Sequence, residues 1–305
     1  MGGEVSKRNG EFGEERVEKF LELIGWNNPR KGVPIKCINQ DNHNKSIKSG
    51  SHGIDFGYTY ISPLIDGELI DLSISSKFTA GNYPNSPNAK FKEYIFDLST
   101  TIECYDGTEK KAEILRGFRN FEKIKNIGVL FWLTNSKEIE KGLFEKISTS
   151  RFDDELSFET IYVVDDYRYN FITKSIKFGK NFFPGGNLDF HYPDTGKNIL
   201  PIYKKSYGQF LPVEYINSSI LLLRLENPNS NENILMISVL DNFHKDDFKM
   251  LLGLSQNLSK AWASKTIICF PDYNFIDHGE EVKSIISQFE EVYIKKNIEV
   301  LNYNE

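Results

Sequence analysis

Residues 52–77 read HGIDFGYTYISPLIDGELIDLSISSK, and the fold follows from taking them as one antiparallel hairpin. Residues 54–61 are β-branched and aromatic, as strand residues are. Residues 62–67, SPLIDG, carry turn formers in Pro63 and Asp66-Gly67. Residues 68–77 then alternate, with Ile70, Leu72 and Ile74 on one side and Asp71, Ser73, Ser75 and Lys77 on the other. Hairpin strands pair symmetrically about their turn, so paired residue numbers sum to about 130 here. Asp55 then lies beside residues 75–77. An acid opening one strand stands next to a lysine closing its neighbour. Buried charges need partners, and this pair suits phosphate chemistry: the carboxylate holds Mg²⁺, and the lysine orients water or offsets charge on a phosphate.

Upstream, residues 10–25 read as a helix whose apolar stripe is Val17, Phe20, Leu21 and Ile24. Gly10 and Gly13 fall on that stripe and allow close packing. Glu14 falls at its edge, so of the five glutamates it is the one placed to lean into a buried site; the other reading is a solvated acidic face. Gly25 ends the helix. A strand is expected at 33–38, inside a Lys- and Asn-rich segment that either skirts phosphates or is an exposed loop. Downstream, helices are expected at 88–103 and 109–124, a central strand at 127–134 (IGVLFWLT), a helix at 136–147 and a strand at 158–164. Lys110, Lys111, Arg116, Arg119, Lys123 and Lys125 are candidates for backbone contacts to nucleic acid, although such a run is commonly a solvated face.

Helix, strands, helix, strand, with an Asp on the second strand and a lysine ending the third, resembles the PD-(D/E)XK nuclease superfamily. The resemblance matches Asp55 to the motif's Asp and Lys77 to its Lys, with Ser75 where the motif has Asp or Glu. It implies a restriction-endonuclease-like α/β core: a helix, a mixed central sheet with a β-hairpin, and flanking helices. Some members with Ser-x-Lys recruit an acid from the following helix, which here offers Glu93 and Asp97. At 100° per residue both fall opposite the Phe91, Ile95, Leu98 stripe and face away, unless that helix is packed on two sides. Asp71 shares the Lys77 face but lies about 20 Å along the strand. The stretches SKRNGEFGEE, HGIDFGYTYISPL, LSISSKFT and KFKEYIFDLSTTIECY are similar to the nuclease-fold subunit of a two-gene bacterial anti-phage defence system. That likeness implies a metal-dependent deoxyribonuclease using Mg²⁺ or Mn²⁺, with Asp55 and Glu14 on the metal and Asp55, Lys77 and Glu14 as the catalytic set. The partners it implies are DNA and a second, different protein encoded nearby. An alternative is a weak or inactive DNA-binding or scaffold subunit, supported by Ser75 and the net charge; an RNA-directed nuclease would use the same site. A homo-oligomer is plausible because cutting two strands needs two sites.

The second half, from 179 to 305, reads as a second α/β domain after a nuclease-like domain at 1–178. Residues 165–200, which contain FGKNFFPGGNLDFHYPDTGKN, are taken as a connection between domains. A hairpin at 216–225 and 234–240, a helix at 245–263, a strand at 266–270, a helix at 280–289 and a strand at 291–294 repeat the order of the first half from residue 54 onward. Residues from about 200 are therefore a candidate degenerate copy, without a lysine where Lys77 would map; α/β domains in general also look alike at this level.

The 305 residues suffice for one large or two medium domains, and a net charge of −6 does not favour nucleic acid except in a local groove or with a partner's help. Three scattered cysteines (Cys37, Cys104, Cys269) argue for a reducing compartment, and neither a CxxC nor any His spacing indicates zinc. There is no signal peptide and no apolar run of membrane length, so a cytoplasmic location is expected.

Overall fold

The computed structural model describes residues 2–43, 50–136, 143–152, 156–200, 205–229, 232–259, 262–290 and 297–305. The chain divides into two compact units, Met1–Tyr169 and Asn170–Glu305.

The first unit runs α1 (Gly2–Leu23), β1 (Arg30–Lys36), α2 (Gln40–His43), β2 (Ser51–Ile61), β3 (Glu68–Thr79), α3 (Asn88–Asp106), α4 (Glu109–Arg116), β4 (Lys123–Thr134), α5 (Leu143–Ile147) and β5 (Thr160–Val164). Its five strands lie in chain order. β1, β2 and β3 are antiparallel neighbours, and β3, β4 and β5 are parallel. Tyr58 sits opposite Leu72 and Phe56 opposite Ile74, the register a symmetric turn dictates. Gly67 takes φ 69° at the turn, a conformation open to glycine. Val17, Phe20 and Leu21 of α1, and Ile24 just beyond its end, are fully buried, and Phe20 meets Phe131 of β4 edge to face.

Several expected boundaries move. β1 begins and ends earlier than 33–38. α4 stops at Arg116 rather than 124, because Gly117 caps it and Asn120 turns the chain with φ 63°; the residues released extend β4 back to Lys123. Lys111, a candidate phosphate contact, is buried with its ammonium on Asp106 and Asn126. Gly10, expected on the packed stripe, has open space where a Cβ would be, whereas one on Gly13 would stand 2.7 Å from Phe78 Cβ. Of the helix expected at 136–147, residues 137–142 lie outside those described.

The second unit carries most of α6 (Asp166–Phe182), then β6 (Asn187–His191), β7 (Tyr207–Gly208), β8 (Ile220–Glu226), β9 (Asn233–Val239), α7 (Lys245–Ser259), β10 (Lys265–Phe270), α8 (Phe275–Ser287) and β11 (Ile298–Asn302). The connection expected at 165–200 is thus largely a helix and a sheet strand: α6 fills its first half, and Asn187–His191 runs from exposed to buried and pairs with β8. The strand expected at 291–294 lies outside the described residues, and Ile298–Asn302 is the one that pairs with β10. Leu235, Ile237, Phe248, Leu252, Ile268 and Phe270 form the core here.

The second sheet is ordered β11-β10-β9-β8-β6-β7. β6 to β8 and β8 to β9 are antiparallel, while β9 to β10 and β10 to β11 are parallel. Leaving out the short α2, α4 and β7, both units read helix, three strands, helix, strand, helix, strand, with the same pairing senses. The correspondence thus starts at α6, upstream of residue 200.

Candidate active site

The ladder between β2 and β3 stops at Phe56–Ile74, although β3 continues to Thr79 and β2 begins at Ser51. Beyond that point β2 stays on β1 alone. At the divergence Asp55 takes over: its Oδ2 accepts the Ser76 N–H at 2.7 Å and the Ser75 hydroxyl at 3.4 Å. A side-chain carboxylate thus satisfies an amide that a carbonyl would otherwise serve. Its other oxygen, Oδ1, accepts no hydrogen bond among the described residues. Burial pushes the Asp55 carboxyl above its ordinary range, the Asp97 charge adds to this, and the Ser76 amide and Lys77 oppose it.

Lys77 lies two residues beyond Ser75 on β3. Its Nζ donates to Asp97 Oδ2 at 2.7 Å and lies 5.5 Å from the centre of the Tyr94 ring. Burial works against its charge, but the Asp97 and Asp55 carboxylates prevail and hold its pKa above that of an ordinary lysine. Lys77 is therefore a cation over the working pH range, suited to stabilising negative charge and unsuited to taking up a proton.

Asp97 is the acid that helical arithmetic set facing away. α3 is buried on two sides, which that arithmetic did not supply. Phe91, Ile95, Leu98 and Ile102 pack with Leu130, Trp132 and Val163, while Cys104 and Tyr105 pack with Val33, Ile35 and Ile54. Thr100 and Thr101 are buried too. Two adjacent apolar surfaces turn the flank bearing Tyr94 and Asp97 toward Lys77. Glu93 stays outside this contact and is paired with Lys90 at 2.8 Å on the exposed surface. The local signal was present as small and polar residues, Tyr94, Asp97, Thr101 and Cys104, at helical spacing beside the apolar stripe. Asp71 is held at the far end of β3 by Thr59 and Arg30.

Glu14 is carried over the end of β3 by the close approach of α1 at Gly13. Phe12 meets Phe78 edge to face, with 5.2 Å between ring centroids. The Glu14 carboxyl is raised by partial burial and then by the charges of Asp55 and Glu11. Two residues further along α1, Arg16 bonds Asp166 at 3.3 Å, and Asp166 Oδ2 accepts the Thr134 amide at 2.9 Å and hydroxyl at 2.8 Å. This buried network ties α1 to the end of β4.

Asp55, Ser75, Lys77 and Asp97 therefore converge where β2 leaves β3, with Glu14 electrostatically coupled to them. A family model described as "GAPS4 protein PD-(D/E)XK nuclease domain" matches residues 1–168, more than half of the chain.

The chain belongs to this GAPS4 nuclease-domain family.

That family is one of anti-phage defence, so the chain carries a defence nuclease domain of PD-(D/E)XK type followed by a second α/β unit. Searches of curated proteins and of solved structures gave no match. The basic run at 110–125 does not flank the site: Lys123 pairs with Glu68, at the opposite end of β3 from Lys77, roughly 30 Å away along the strand at ~3.3 Å per residue. No described helix is long and apolar enough to cross a membrane.

Proposed function

We propose that this chain is a divalent-metal-dependent DNA endonuclease that works with a second protein in anti-phage defence. The observation that carries the reading is the meeting of Asp55 and Lys77 at the divergence of β2 and β3, with Asp97 bonded to the lysine. Asp55 and Glu14 are hard oxygen donors, and the Asp55 charge already raises the Glu14 carboxyl, a repulsion that a bound cation relieves. They suit Mg²⁺ or Mn²⁺. Such an ion supplies positive charge against the scissile phosphate and makes water more acidic. Lys77 faces the phosphate as a cation and stabilises the charge that develops on it. Ser75 hydrogen-bonds Asp55 and fixes the orientation of its carboxylate. Asp97 takes the part of the acid missing at position 75 by holding Lys77 charged and in place.

The second unit is read as a non-cutting copy of the same fold. Its element order and pairing senses match the first, but β8 carries charge only at Arg224 and Glu226, and β9 carries none. Among the described residues, β8 and β9 carry no carboxylate–lysine pair like Asp55 and Lys77. A scaffold role for the entire chain is the second reading, favoured by Ser75 in the acid's position.

The test is cleavage of plasmid and linear DNA with Mg²⁺ or Mn²⁺, by the chain alone and with the neighbouring gene's product, beside Asp55→Ala and Lys77→Ala. Metal-dependent cleavage that both substitutions abolish supports the reading. Cleavage surviving both moves the site elsewhere or to the partner, and DNA binding without cleavage supports the scaffold role. RNA substrate in the same assay separates the two nucleic acids.

A further inference from the structure

Four residues remote in sequence and foreign to the cleavage site meet inside the first unit. Cys37 follows β1, His43 ends α2, His52 is the second residue of β2 and Cys104 lies near the end of α3. All four are at least nine-tenths buried. One ligand atom from each lies within 4.8 Å of the others. The Cys37 and Cys104 sulfurs are 3.9 Å apart, and His43 Nδ1 is 3.5 Å from Cys37 Sγ and 3.4 Å from Cys104 Sγ.

These separations are those of ligands around one ion. Zinc–sulfur bonds of about 2.3 Å and zinc–nitrogen bonds of about 2.0 Å at tetrahedral angles place two sulfurs about 3.8 Å apart and sulfur and nitrogen about 3.5 Å apart. A disulfide does not explain the pair, since both cysteines are free thiols. Hydrophobic packing does not explain it either. Both ring nitrogens of His52 are buried without a hydrogen-bond partner, an arrangement that costs free energy unless something ligates one of them.

The surroundings are those of a metal ligand set. His43 turns Nε2 to Glu103 Oε2 at 3.4 Å, leaving Nδ1 toward the sulfurs; a carboxylate on the far nitrogen is how ligating histidines are oriented. The backbone amides of Ile38 and Asn39 also face the Cys104 sulfur.

We infer that Cys37, His43, His52 and Cys104 bind one Zn²⁺ as a closed, four-ligand structural site, separate from the cleavage metal. Two thiolates and two imidazoles suit zinc over Mg²⁺. Binding releases the two thiol protons. The site sews β1, α2, β2 and α3 together. His52 stands three positions before Asp55 on β2, and Cys104 stands two turns after Asp97 on α3. The ion thereby pins the two elements that carry the Asp55 and Asp97 acids.

The experiment is metal analysis of the full chain purified without added zinc or chelator, followed by Co²⁺ exchange. One zinc per chain is expected, and the Co²⁺ form should show tetrahedral d–d bands and a thiolate-to-cobalt charge-transfer band. Cys37→Ser and Cys104→Ser should each lose zinc, whereas Cys269→Ser, Asp55→Ala and Glu14→Ala should keep one zinc per chain; the last two separate this site from the cleavage metal. Because the ligand variants are liable to unfold, the wild-type spectrum decides. A folded wild-type chain that holds no zinc and takes up no Co²⁺, or that shows a Cys37–Cys104 disulfide by mass spectrometry, overturns the inference. So does zinc retained by both cysteine variants.

Discussion

Lys77 Nζ and Asp97 Oδ2 are 2.7 Å apart, one near the end of a central strand and the other midway along the helix that follows. The pair is partly exposed, at 25% and 34% of the side chains, so it is open to a substrate and is not a sealed structural bridge. It keeps the lysine ionised beside Asp55.

Removing the cation should cost transition-state stabilisation. Lys77→Ala is expected to lower the cleavage rate by about 10²–10³-fold with DNA affinity largely retained. Single-turnover rates and binding isotherms on the same DNA check this.

Asp97→Asn should shift the pH dependence. Asp97 raises the Lys77 pKa, so its loss lets burial lower that pKa, and the lysine deprotonates at lower pH. The alkaline limb of the rate profile moves toward neutrality in Asp97→Asn, whereas Glu93→Gln leaves it in place. A pH–rate series on the three proteins measures the difference.

Gly13 and Gly10 should respond oppositely to alanine. A Cβ on Gly13 would stand 2.7 Å from Phe78 Cβ, close to the backbone, and one on Gly10 would meet nothing. Gly13→Ala is expected to cost about 1–3 kcal/mol by overpacking and to lower activity by lifting Glu14. Gly10→Ala gains up to about 1 kcal/mol of helix propensity. Denaturant unfolding resolves both.

Asp165 is fully buried, and burial raises its carboxyl from 3.8 to about 6. Its Oδ1 accepts the Arg168 amide, and its Oδ2 has no hydrogen-bond partner. A raised folded pKa means that the fold binds the proton more tightly than the unfolded chain does. The group's favourable contribution is therefore complete below about pH 4 and lost as pH rises through about 6. Asp165→Asn, which keeps the acceptor for Arg168, should stabilise the protein above pH 6 by on the order of 2 kcal/mol and do little at pH 4. Thermal unfolding at the two pH values tests the sign.

Strand alternation and a symmetric turn were enough to put Asp55 beside Ser75 and Ser76, because register in a hairpin is a local property. The apolar stripe of α1 likewise showed Val17, Phe20, Leu21 and Ile24 as its buried face. Only the tertiary structure decided that Asp97, and not Glu93, meets Lys77. A helix wedged between two apolar surfaces has two buried flanks, and periodicity about one stripe describes only the first. Only the tertiary structure, too, brought Cys37, His43, His52 and Cys104 together. Their ligand spacing is set by how β1, α2, β2 and α3 pack, and sequence distance carries no record of that packing.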